Sequence, residues 1–266
     1  MIDLHCHILP GIDDGAPDLD TALAMARIAA ADGVKITACT PHLTPGVYDN
    51  RGPGIRAAVA AFQRELDQAG VALRLTHGSD IHLAPDLPAL LRRGEALALA
   101  DSRYFLFEPP HRIAPPRLAE AAEELLDAGF IPVVTHPERL SWIEDHYETM
   151  RRMAASGAWM QITAGALTGR FGRRPRYWGE RMLDEGLVHI LATDAHNLGN
   201  RAPLLSEGRE AAALRLGEEE ADRLVNGRPD AILNNADPAT VPPPPGSESR
   251  QRRGVRGLVS RLFHVS

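Results

Sequence analysis

His5 and His7 stand two positions apart behind a short apolar run, and the paired carboxylates Asp13 and Asp14 follow with Gly15. In an extended strand, side chains two apart project from the same face, so imidazoles at this spacing can converge on one cation. The same grammar returns in Thr40-Pro41-His42, Gly78-Ser79-Asp80, Phe107-Glu108, Thr135-His136-Pro137-Glu138-Arg139 and Thr193-Asp194-Ala195-His196. Imidazole and carboxylate together suit manganese, iron or zinc, whereas a structural zinc site would be rich in thiolates. His5, His7, His42, His136 and His196, with Asp14, Asp80, Glu108 and Asp194, exceed what one cation needs. Two or three cations are the economical expectation, and Asp80 or Glu108 could bridge a pair about 3.5–4 Å apart, holding hydroxide ready for in-line attack. Of the adjacent aspartates, Asp14 is the expected ligand, while Asp13 organises the turn with Gly15.

Arg139 lies three positions after His136, and Arg201 five after His196. Both are tethered beside the metal candidates, where a planar fork suits phosphate oxygens; a surface ion pair is the plainer alternative. Activated water with arginine clamps suits phosphoester hydrolysis, and Arg139, Arg201 and His42 are the catalytic candidates. A cysteine phosphatase is excluded, because that loop needs an arginine at a position where Cys6 is followed by Ile12 and Cys39 by Pro45. Neither a GxSxG elbow, nor a Walker loop, nor a GxGxxG precedes a helix. His77 and His189 fall inside apolar runs and are expected in the core or behind the ligands. His82, His111, His146 and His264 have no convergent partner in the sequence and are expected at the surface. Cys6 and Cys39 are expected to point into the core.

These residues need strands to carry them. Residues 2–4 lead into His5, 34–40 into His42, 73–77 into Asp80, 104–107 into Glu108, 131–135 into His136, 159–162 into Thr163 and 189–193 into Asp194. Helical segments lie between. Asp18 reads as an N-cap, with Leu19, Ala22, Leu23 and Ala26 on one face and Gly33 as a stop. Ile55, Val59, Phe62 and Leu66 form a second stripe closed by Gly70; Leu118, Ala122 and Leu125 form a third closed by Gly129. Short apolar strands alternating with amphipathic helices predict an α/β fold of parallel units, with the chemistry collected where strands end.

The chain has 266 residues and a formal charge of −6, enough for one full core and without the basic stripe that nucleic acid requires. No run reaches the length of a membrane span, no signal peptide is expected from the residues before His5, and a disulfide framework is not expected from two cysteines. A cytoplasmic protein is expected. Residues 1–236 read as one domain and 237–266 as a proline-rich linker with a basic tail. In that tail Arg250, Arg252, Arg253, Arg256 and Arg261 interleave with Val255, Leu258, Val259 and Leu262. A solvated tail, weakened as a helix by Gly254 and Gly257, stands beside a basic amphipathic anchor for a membrane surface.

Met1-Ile2-Asp3-Leu4-His5-Cys6-His7 through Asp13-Asp14-Gly15, then Asp101-Ser102-Arg103-Tyr104, His136-Pro137-Glu138-Arg139 and Asp194-Ala195-His196-Asn197-Leu198, carry a resemblance. The chain resembles bacterial manganese-dependent protein-tyrosine phosphatases of the polymerase-and-histidinol-phosphatase (PHP) superfamily, which regulate capsular or exopolysaccharide synthesis. The resemblance spans roughly residues 1–235. It implies a distorted seven-stranded β/α barrel holding manganese, with iron or zinc as alternatives. It implies a first cation on His5, His7 and Asp194, sharing Asp80 with a second that Glu108 and His136 complete. A third falls to Asp14, His42 and His196, and Arg139 and Arg201 match phosphate-binding positions. The implied substrate is phosphotyrosine on a membrane-bound bacterial tyrosine kinase.

One departure is visible: the family usually has glutamate where this chain has Asp80, so the bridge is expected to be asymmetric or one ion weakly held. Two alternatives stay open. One is a small-molecule phosphatase acting on histidinol phosphate or a nucleotide; the other is a catalytically silent metal-binding regulator. The loops over residues 43–54 and 109–116 are short and rich in proline and glycine, predicting an open site suited to a side chain projecting from a protein.

Overall fold

The apolar runs become strands and the amphipathic stretches become helices in the computed structural model, which describes residues 1–246 except Pro45 and Pro85. The strands are β1 (Ile2–Cys6), β2 (Ile36–Cys39), β3 (His42–Leu43), β4 (Arg74–His77), β5 (Asp80–His82), β6 (Tyr104–Glu108), β7 (Ile131–Thr135), β8 (Trp159–Thr163) and β9 (Ile190–Ala192). The helix Leu19–Ala31 starts where the Asp18 carboxylate accepts from the Thr21 backbone N–H at 2.8 Å. Its buried face is Ala22, Met25, Ala26 and Ala29, and Leu19 is exposed, so the stripe is rotated from the expected one. The helix Gly52–Gln68 buries Ile55, Val59, Phe62 and Leu66 as expected.

All pairings between these strands are parallel. One sheet has the order β1-β2-β4 and the other β3-β5-β6-β7-β8-β9. The expectation of a seven-stranded barrel is therefore met at the level of a parallel α/β fold, and no closed sheet is found among the described residues. Two of the seven apolar runs are each broken into two strands. The first breaks at Pro41, which has no N–H to donate. The second breaks at Gly78, where a Cβ would come within 2.9 Å of Leu99 and 3.0 Å of Thr40. The ends of β1 and β9 still meet. Cys6 and Ala195 form an isolated parallel bridge, His7 N donates to Ala195 O at 2.9 Å, and Asp194 N donates to His5 O at 2.8 Å.

Strand alternation divides the core. Ile2, Leu4, Tyr104, Leu106, Ile131, Val133, Trp159 and Ile190 belong to a small apolar cluster, whereas Phe105, Phe107, Val134, Met160 and Leu191 join the large one shared with the helices. The register of β1 against β2 shifts between Asp3 and Cys6, so Leu4 can belong to the small cluster while the next residue, His5, faces the polar site. Asp3 secures this turn of the strand: its carboxylate accepts from Thr193 N at 3.0 Å and Thr193 Oγ1 at 2.5 Å.

The segment read as a linker begins with local structure of its own. Pro238–Thr240 forms a 3-10 turn, and the Tyr104 hydroxyl donates to Ala236 O at 3.0 Å. The buried Arg228 donates from Nε to Pro242 O at 3.0 Å and pairs with Glu220 at 2.7 Å. The basic tail from Arg250 onward, with His264, lies outside the described residues. No helix among the described residues is long and apolar enough to cross a membrane.

Candidate metal centre

Because every strand runs the same way, their C-terminal ends open on one side, and the side chains there converge. His5 Nε2 lies 3.3 Å from Asp80 Oδ2, 3.3 Å from Asp194 Oδ1 and 3.1 Å from His7 Nε2. His196 Nε2 and His42 Nε2 approach Asp14 Oδ1 at 3.3 and 3.4 Å. The rings of His7 and His196 are 3.9 Å apart between centroids, and those of His7 and His42 are 4.4 Å apart. His136 Nε2 and His42 Nδ1 face the two oxygens of Glu108 at 3.6 and 3.3 Å. All nine residues expected as ligands therefore lie in one cluster.

The imidazoles are held from behind. His5 Nδ1 meets Gln161 Oε1 at 2.9 Å, His7 Nδ1 meets Asp13 Oδ2 at 2.7 Å, and His196 Nδ1 meets Asp194 O at 3.0 Å. In the neutral tautomer that donates Nδ1–H outward, the form a metal requires, each Nε2 turns its lone pair to the centre. Asp13 has the turn role expected of it, accepting from Gly15 N at 3.0 Å, and it also accepts from His42 N at 3.1 Å. Gly15 is obligatory here: a Cβ would lie 2.0 Å from His7 O. His136 and Asp194 both hold left-handed backbone, at φ 35° and 48°, a conformation uncommon for residues other than glycine.

Charge explains the protonation pattern of these side chains. Burial works to lower the His5 pKa, but the Asp80 and Asp194 carboxylates outweigh it and hold the ring at about 9. Burial likewise opposes His42, which the nearby Glu108 and Asp80 carboxylates raise to about 10. His7 goes the other way, to about 4, through burial and the neighbouring His196. Asp194 is buried, which favours its neutral form, yet His5, Arg201 and Arg139 hold it well below the usual carboxylate range. Both Asp80 oxygens, His42 Nδ1 and His196 Nε2 are buried without a hydrogen-bond partner. Such atoms are costly unless something binds them, and this donor set fits divalent transition cations.

Arg139 and Arg201 converge on one atom, Asp194 Oδ2; Arg139 Nη1 contacts it closely and Arg201 Nη2 lies 2.6 Å away. The Arg139 guanidinium also sits 4.6 Å over the Phe171 ring, and Arg201 Nε is buried without a partner. The sequence expectations miss three neighbours. Gln161 was not singled out, although it lies two residues beyond Trp159 on the same strand face. His82 and His111, expected as surface residues, instead face Glu108 at 2.5 and 3.3 Å. At another strand end, Thr163 donates its N–H to Glu138 Oε1 at 3.0 Å. His77 lies apart, beside Asp101 at 3.2 Å, while His189 is half-buried and stacks on Trp159; His146 is exposed. Cys6 and Cys39 are buried free thiols, as expected.

The family model for capsular polysaccharide synthesis, CpsB/CapC, matches residues 1–234. The chain belongs to the CpsB/CapC family. It is 32% identical over 245 residues to the tyrosine-protein phosphatase YwqE of Bacillus subtilis, covering 92% of this chain and 96% of that protein. It is 27% identical to the tyrosine-protein phosphatase CpsB of Streptococcus agalactiae, over 88% of this chain and 99% of that one. A crystal structure from work on YwqE and the Streptococcus pneumoniae CpsB, described as unique metal-dependent tyrosine phosphatases, superposes with a TM-score of 0.86 at 32% identity. It covers 92% of this chain and 98% of that one. The phosphotriesterase of Mycobacterium tuberculosis, at 12% identity and a TM-score of 0.51 over 88% of this chain and 94% of that one, shares the fold alone with this CpsB/CapC member.

Proposed function

We propose that this chain is a metal-dependent phosphatase that removes phosphate from protein phosphotyrosine in the service of capsular or exopolysaccharide synthesis. One observation carries the proposal: three buried imidazoles, each pinned at Nδ1, present Nε2 to a shared set of carboxylates at the strand ends. Manganese is the proposed metal, with iron or zinc as alternatives. His5, His7, Asp80 and Asp194 hold the first ion, Glu108 and His136 belong to the second, and Asp14, His42 and His196 hold the third. When bound, such cations make water nucleophilic at neutral pH and neutralise phosphate charge.

The protein's own residues supply the rest. Arg139 and Arg201 grip phosphate oxygens, and the unpartnered Arg201 Nε provides a directed donor for that task. Asp194 orders both guanidiniums before substrate arrives, so little reorganisation accompanies the transition state. Val47, Leu83, Ile113 and Leu198, exposed apolar residues in loops following β3, β5, β6 and β9, offer a rim for an aromatic side chain and its flanking peptide. Tyrosine phenolate leaves with a solution pKa of about 10, so the site can work without a dedicated general acid. Residues 1–236 constitute the catalytic unit in this proposal, and the partner is a membrane-bound tyrosine kinase reached from the cytoplasm.

The test is a comparison of turnover between a phosphotyrosine peptide and histidinol phosphate, with manganese and with EDTA. Preference for the peptide, abolished by EDTA, is expected. Preference for histidinol phosphate would transfer the site to small metabolites, and absence of metal-dependent hydrolysis of either would end the enzymatic proposal.

A further inference from the structure

Asp80 and Glu108 fall into separate groups of ligand-type side chains, and a histidine from a neighbouring loop completes the one around Glu108. The Asp80 carboxylate groups with His5 and His7, whereas Glu108 and His136 find their third partner in His111. His111 Nε2 and His136 Nε2 face the same oxygen, Glu108 Oε1, at 3.3 and 3.6 Å. Their rings are 4.8 Å apart between centroids. Glu108 itself is 4% exposed, so a carboxylate almost wholly removed from water is surrounded by imidazole nitrogens.

His111 is not there by the drift of a loose loop. It follows Glu108 by three residues through Pro109 and Pro110. Its carbonyl accepts from both Ser141 N at 3.0 Å and Ser141 Oγ at 2.9 Å. Pro110 O accepts from Trp142 Nε1 at 2.8 Å. Ser141 and Trp142 follow, after Leu140, the turn Pro137–Arg139 that leaves His136, so one short stretch of chain positions both histidines. On the far side of the carboxylate, His82 Nε2 lies 2.5 Å from Glu108 Oε2 and fixes its plane. The His111 side chain is 35% exposed, which leaves an open face for water or a phosphate oxygen.

We propose that His111 joins Glu108 and His136 as the third protein ligand of the second cation, and that Asp80 serves the first cation without bridging. Two imidazoles and one carboxylate select a divalent transition ion over magnesium or calcium. The inference rests on the metal-centre proposal above and refines it.

The test uses the full chain loaded with manganese, dialysed, and counted for ions by elemental analysis, alongside His111→Phe and His111→Ala. Phenylalanine keeps the ring packed on His136 while removing the nitrogen, so it also controls for folding. Both variants should retain one ion fewer than the parent protein. An anomalous-scattering map of the parent should place an ion within about 2.3 Å of His111 Nε2. In Asp80→Ala that ion should persist. A full complement of ions in both His111 variants, or a map with the ion beside Glu108 bound by Asp80 and not by His111, would overturn the inference while leaving the metal centre intact. A parent protein that retains no ions would instead overturn the metal-centre proposal itself.

Discussion

The inner face of this fold has a dry end and a wet end, and the same strands build both. Along β6 the face reads Tyr104, Leu106, Glu108; along β8 it reads Trp159, Gln161; along β9 it passes from Ile190 towards Asp194. The first members of each series pack into an apolar cluster, and the last members meet His5, His42 and their neighbours. The period of two decides which side chains face inward, and parallel direction decides which end is polar. The dry end contributes burial. The wet end carries buried Asp80 oxygens without a hydrogen-bond partner, a cost that a bound cation would offset. Stability and chemistry are thereby separated by roughly one strand length.

That separation can be broken from either end. Asp194→Asn removes the charge on which His5, His7, Arg139 and Arg201 converge, and kcat/KM on a phosphotyrosine peptide should fall by about 10³-fold or more. Leu106→Ala should do the opposite. Urea unfolding should show a loss of about 2–5 kcal/mol, while the folded protein keeps its full metal content and turnover. A fall in turnover without a fall in stability would mean that the two ends are not independent. Gln161→Leu keeps the volume but deletes the acceptor behind His5, and metal affinity by titration should weaken by about 10–100-fold.

Protons sharpen the comparison further, with the smallest effect. His5 and His42 are held at about 9 and about 10 in the metal-free protein, so both carry a proton at pH 7. Metal binding there should expel them, raising affinity with pH, and calorimetry in buffers of different ionisation enthalpy should count about two protons. Because these folded pKa values exceed the ordinary histidine value of about 6.5, their stabilisation is fully present below that pH and is lost through 9 to 10. The metal-free protein should therefore melt at a lower temperature at pH 10 than at pH 7, as calorimetry would show.

Much of the wet end was legible because its residues terminate apolar runs: His5, Glu108 and Asp194 announce themselves by position along a strand. Gln161 was equally readable, since it shares the parity of Trp159, but an uncharged amide draws no attention beside carboxylates and imidazoles. His111 was not readable. Its loop has no period, and its place depends on Ser141, 30 residues away. The splitting of two runs into β2/β3 and β4/β5 was also hidden, because a tertiary contact of Gly78 with Thr40 and Leu99 accompanies the second break. The basic tail was the most visible feature of composition, and it lies outside the described residues.

The bond from Thr193 to Asp3 joins positions 190 apart in the chain. A ribosome releases β1 long before β9 exists to meet it, so the earliest donors must wait, uncaged, until translation has passed Asp194. Ion capture is then a late event in biogenesis, and a nascent fragment lacking that final strand would hold histidines but no pocket to keep a cation in.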